Sequence, residues 1–120
     1  MVKGFDRETR DLTSYELNEV LPHIRAGLLK RVGAAHAVTN REIVAGLRSW
    51  RIAIGEPRVR KIINHIRTTG MIPRLIATSS GYYVAETRQE VIDYIDSLKN
   101  RENAIKAVRT AIESQLQSIF

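Results

Sequence analysis

TNREIVAGL (39–47), EPRVRKIINHIRTTGMI (56–72) and LIATSSGYYVA (75–85) form one nearly continuous stretch that carries two helix patterns and a hairpin pattern in succession. Thr39 stands three residues before Glu42. That spacing is a capping box, in which the Thr hydroxyl accepts from the amide at the third helical position and the Glu reaches back to the cap amide. A helix is predicted over 40–49, with Ile43, Val44 and Leu47 inward. Pro57 suits the first position of the next helix, where a missing amide costs nothing. This third helix runs to about Thr69, and Gly70 stops it in a left-handed conformation. Val59, Ile62, Ile63 and Ile66 make one apolar face. Two β-prone runs, 75–78 and 82–85, flank Ser79-Ser80-Gly81 and read as a hairpin. Pro73 keeps the approach to the first strand non-helical.

Thr13 with Glu16 and Thr87 with Glu90 repeat the capping box on either side of that stretch. The first helix is expected over 14–32, with Leu17, Val20, Leu21, Ile24, Leu28 and Val32 facing the core and Gly33 ending it. Pro22 interrupts the pattern, so either a kink or a later start is expected there. Ala37-Val38 is a short extended piece before the Thr39 cap. The last helix starts at Thr87. Val91, Leu98, Ile105, Ile112 and Ile119 recur every seven residues, with Tyr94, Ile95, Val108 and Leu116 between them. The register passes unchanged through the polar run 100–103, so one continuous helix is expected. Three regions follow: a polar arm (1–12), a globular domain (13–86) and a carboxyl-terminal helix (87–120).

A chain of 120 residues with 43% hydrophobic and 27% charged composition fits one globular domain. It has no cysteine, which excludes disulfides and thiolate metal sites. No apolar run approaches the roughly 20 residues of a membrane span. Met1 to Asp11 alternates charges without a signal-peptide apolar core, so a cytoplasmic location is expected. The net charge is +6. Residues 38–74 hold eight basic residues (Arg41, Arg48, Arg51, Arg58, Arg60, Lys61, Arg67 and Arg74) against Glu42 and Glu56, so the middle third carries the whole excess. A concentrated basic segment attracts polyanions.

The order of elements is helix, short strand, helix, connection, helix, hairpin, helix. Two helices joined by a turn, the second basic on its free face, make a helix-turn-helix. With the hairpin behind it, the region 12–86 resembles the winged-helix family. The three quoted runs look most like small winged-helix proteins of phages and prophage-like elements, and are similar to the amino-terminal domain of the biotin repressor. The fold class expected is therefore mainly α with a small β-hairpin, a winged helix-turn-helix with a long last helix. The resemblance implies that the third helix enters the major groove of double-stranded DNA and that the wing touches an adjacent groove or backbone. One departure is the connection over 51–56, longer than the simplest turn.

If Val59, Ile62, Ile63 and Ile66 are buried, then Arg58, Arg60, Lys61, Asn64, His65, Arg67 and Thr68 are expected to be exposed or marginal. Arg makes bidentate contacts with guanine and Asn with adenine. Lys61 and Arg67 suit phosphates. Asn40 and Arg41 open the second helix and can meet phosphate with side chains and free amides. Ser79 and Ser80 at the hairpin tip offer hydroxyl and amide donors, and Arg74 completes the candidate set. One of Tyr82 and Tyr83 faces the core. Trp50 is expected to lid the core at the end of the second helix, with an interaction anchor as the lesser alternative.

Catalysis finds no motif. His23, His36 and His65 lack metal-ligand spacing, and there is no phosphate-binding glycine loop or nucleophile elbow. No enzyme activity, cofactor or metal is expected. The rival reading is a winged helix that binds protein, and structured RNA is a further one. The apolar residues of the last helix need a surface. Either the first helix of the same chain supplies it or a second copy does, giving a homodimer.

Overall fold

Pro22 shapes the first helical segment. In a computed structural model that describes residues 10–119, the chain turns helical at Ser14 but winds as a π-helix over Glu16–Val20. The Leu21 amide donates to the carbonyl of Glu16, five residues back. In a regular helix the Pro22 ring would meet the Asn18 carbonyl, and the wider turn removes that clash. Of the two expectations at Pro22, the later start holds for the regular α-helix, which begins at Leu21 behind the π turn. This helix, α1 (Leu21–Leu29), buries Leu21, Ile24 and Leu28. It stops three residues earlier than the apolar spacing implied. Leu17 and Val32 are exposed, which corrects their expected inward orientation. Gly33 does not end the helix; its amide donates to the Val84 carbonyl instead.

After a short 3-10 turn (Ala34–His36) come α2 (Asn40–Ser49) and α3 (Glu56–Thr69). The Thr39–Glu42 capping box is complete: the Glu42 amide donates to Thr39 Oγ1 and the Thr39 amide to Glu42 Oε1, both at 3.1 Å. Gly55 caps α3, so Glu56 is its first residue and Pro57 its second. Gly70 closes α3 at φ 72°, and the Met71 amide reaches back to the Ile66 carbonyl. Val59, Ile62, Ile63 and Ile66 are all at most 1% exposed, which makes α3 the centre of the core. Val20, Leu28, Val38, Leu47, Ile52, Leu75 and Val84 pack around it.

The hairpin pairs β1 (Leu75–Thr78) with β2 (Gly81–Val84), Leu75 opposite Val84 and Thr78 opposite Gly81. The loop is therefore Ser79-Ser80, and Gly81 is already in the strand. The other edge of β2 holds the extended piece before α2, since Val38 and Tyr82 exchange amide-to-carbonyl bonds of 3.0 and 2.8 Å. This close approach needs glycine at 81. Its φ is 121°, and an added Cβ would be driven into the Val38 carbonyl. Gly81→Ala is expected to cost at least about 1–3 kcal/mol in denaturant unfolding. A loss below about 0.5 kcal/mol, the range of ordinary surface changes, would contradict this packing.

The compact units divide between Glu86 and Thr87. The second is one helix, α4 (Arg88–Ile119), continuous through 100–103 as its register required. Its capping box is formed by Thr87 and Glu90. The first nine residues of the polar arm, and the side chain of Ile119, lie outside what is described.

Candidate nucleic-acid interface

The buried arc of α3 leaves a free stripe at spacings of four: Arg60, Asn64 and Thr68 are exposed. Lys61 and His65 on one edge of the stripe, and Arg67 on the other, are half-buried. Thr68 Oγ1 donates to the Asn64 carbonyl at 2.9 Å, so its hydroxyl is partly spent on its own helix. Asp11, Leu12 and Leu17 line a shallow groove with Lys61, Asn64, His65 and Thr68. The segment leading into the first helix thus borders the free face of α3.

Arg58 does not belong to that face. It is only 9% exposed, which corrects the expectation that it is exposed or marginal. Its Nε and Nη2 donate to the two Glu16 carboxylate oxygens at 2.9 and 2.6 Å. Its Nη1 and Nη2 also donate to the Arg10 and Asp11 carbonyls, at 2.7 and 3.1 Å. The Glu16 carboxyl takes the Thr13 amide as well, at 2.8 Å, so one residue serves both the cap and the ion pair. Hydrogen bonding from Arg58 holds the Glu16 pKa down to about 2 against the opposing effect of burial, with help from the Thr13 amide. Arg58 is thereby a clasp between α3 and the start of the first helix. The sequence held a signal for this. Arg58 precedes Ile62 and Ile66 by four and eight residues, in the same buried column.

The remaining candidates fall on two other elements. Arg41 is exposed in the first turn of α2. Asn40 is half-buried, and its Oδ1 accepts the Tyr82 hydroxyl at 3.0 Å. Tyr82 is therefore the tyrosine that turns toward the core, and it ties β2 to the start of α2. Ser79 and Ser80 are exposed at the hairpin tip, where the Ser80 amide donates to Thr78 Oγ1. Arg74 is exposed just before β1, with φ 66°.

Trp50 departs most from its expected place. It is 69% exposed and does not lid the core. Its ring centroid lies 5.4 Å from that of His23. Both border a groove between α1 and α2, floored by Ile24, Leu28, Val38, Ile43 and Leu47. Gly27 and Gly46 also line it, and neither has an atom near the position a Cβ would take. Isolated glycines inside two helical patterns were the sequence signal for this groove.

Among the described residues no group of His, Asp and Glu gathers to hold a metal ion. Every buried side-chain nitrogen or oxygen described has a hydrogen-bond partner. No helix described is long and apolar enough to cross a membrane. Compared with protein-family models, curated proteins and solved structures, the chain matches none.

Proposed function

We propose that the chain is a winged-helix protein that binds double-stranded DNA without catalysing a reaction, with α3 as the reading helix and the hairpin as the wing. One observation carries this: the stripe Arg60, Asn64, Thr68 is exposed on the helix whose opposite face centres the core. A helix so anchored can present guanine- and adenine-reading side chains without rearranging. Arg41 at the start of α2 and Ser79 and Ser80 at the hairpin tip supply phosphate contacts. The resemblance to phage-type proteins favours a cytoplasmic role in transcription regulation, or as an accessory factor in replication.

The test is anisotropy of a labelled duplex titrated at several salt concentrations, with duplex RNA as competitor. Affinity for DNA is expected to fall steeply between ~50 and ~200 mM salt. Arg41→Ala is expected to lower the salt slope by about one unit and weaken all duplexes alike. Absence of salt-dependent binding at low ionic strength would sink the proposal. Preference for duplex RNA would replace it with the RNA reading.

The protein-binding reading has its own observation, the exposed Trp50 beside an apolar groove. Large aromatic side chains at solvent are characteristic anchors of protein interfaces. Trp50→Ala leaves DNA affinity unchanged if the DNA reading holds.

A further inference from the structure

The distal part of α4 presents an apolar face to solvent. Ile105, Val108, Ile112 and Leu116 are 70, 63, 58 and 57% exposed. Isolated apolar residues at the surface are ordinary, but a continuous stripe at helical spacing marks a contact surface. We propose that α4 pairs with the α4 of a second copy of this chain, antiparallel, about a two-fold axis near Lys106. The pairing does not depend on the DNA reading.

The orientation follows from three columns on the helix. The first holds Leu98, Ile105 and Ile112. The second, three residues on, holds Arg101, Val108 and Gln115. The third, four residues on, holds Ile95, Glu102, Arg109 and Leu116. A parallel, in-register pair sets each seam column against itself. Arg101 would then meet Arg101 of the second copy inside the seam. Glu102 and Arg109 would face only Ser97, Ala104 and Ala111, which bear no charge.

The antiparallel pair removes both faults. It sets the first column against the second, so Ile105 meets Val108 and Ile112 meets the aliphatic stem of Arg101. It sets the third column against itself reversed. Glu102 then meets Arg109 of the second copy, twice by symmetry, and Ile95 meets Leu116, again twice. Ser97, Ala104 and Ala111 let the backbones approach on the remaining side. In the single chain Arg109 turns to Glu113 at 2.6 Å, an exposed pair that is easily exchanged. Ile95 to Leu116 spans about 32 Å of helix, roughly three heptads, enough for a seam of this kind.

Sedimentation of the full chain at micromolar concentration is expected to give a dimer, and Ile105→Glu with Val108→Glu a monomer of unchanged helicity. Glu102→Arg alone or Arg109→Glu alone is expected to raise the dimer Kd about tenfold or more, and the two together to restore it. The chain has no cysteine, so introduced thiols report orientation directly. A mixture of Leu98→Cys and Gln115→Cys proteins is expected to form a disulfide between the two. Leu98→Cys alone is not, because its two copies lie about 25 Å apart along an antiparallel pair. A monomeric wild type overturns the pairing. Cross-linking of Leu98→Cys alone overturns the orientation, and a dimer that cross-links neither way overturns the register.

Discussion

Arg58→Ala is expected to destabilise the fold by about 3–5 kcal/mol, because it leaves the Glu16 carboxylate buried without its counter-charge. Among the described residues, the Arg58 guanidinium nitrogens donate two hydrogen bonds to Glu16 and two to the backbone of Arg10 and Asp11. All are lost together. Glu16 has its pKa at about 2 in the folded protein against an ordinary value of 4.5. A lowered carboxylate pKa contributes stability that is fully present above the ordinary value. That stability is lost as pH falls through the range from 4.5 to about 2. The stability gap between wild type and Arg58→Ala should therefore narrow as pH drops across that window. Urea unfolding of both proteins from neutral to acid pH measures this. A gap below about 1 kcal/mol at neutral pH, or one that does not narrow, would show that the clasp is not the source. If α3 reads DNA as proposed, Arg58→Lys is expected to keep wild-type duplex discrimination, since position 58 is buried away from the exposed Arg60, Asn64, Thr68 stripe.

Substitutions on the two faces of α3 are expected to separate stability from binding. Ile66→Ala or Ile62→Ala removes methylenes that are fully buried, each residue being 0% exposed. The lost transfer energy and the residual cavity together cost about 2–5 kcal/mol. Arg60→Ala and Asn64→Ala remove exposed side chains and should leave stability within about 0.5 kcal/mol. Each should instead reduce the preference for a selected duplex over a random one by about 1–3 kcal/mol, the value of a bidentate base contact. Selection from a random duplex library supplies the preferred site. Unfolding and anisotropy on the same four variants then decide the matter. If Arg60→Ala and Asn64→Ala bind the selected duplex with wild-type preference, α3 is not the reading helix.

Local interactions were legible in the residues alone. Thr13, Thr39 and Thr87, each followed three residues later by Glu, capped helices, because both partners of a capping box lie within one turn. Gly70 ended α3 for the same reason. The same spacing at Thr110 and Glu113 falls inside α4, where the Thr110 hydroxyl donates to the Lys106 carbonyl instead. The seven-residue register carried α4 through its polar run, since only covalent spacing and helical geometry enter. The hairpin was legible to within one residue. What shifted it was Gly81, whose positive φ serves the approach of Val38, a residue more than forty positions away. The Arg60, Asn64, Thr68 stripe also followed from periodicity, being the complement of the isoleucine face.

Contacts between distant residues set the rest. Arg58 has the charge of a DNA-contacting residue and the helical position of a core residue. Glu16, forty-two positions earlier, determines which property wins, since a buried guanidinium is tolerable only against a carboxylate. Trp50 has the composition of a core residue, yet Ile52 folds back under the end of α2 with its amide on the Leu47 carbonyl and fills the interior instead. Val32 continues the apolar spacing of α1, but the adjacent Arg31 carbonyl accepts from the Val84 amide, and that strand contact ends the helix first. Helix caps and periodic faces need only neighbours along the chain, so sequence determines them. The burial of one charge or one aromatic ring depends on which distant group arrives beside it, and only the packed fold determines that.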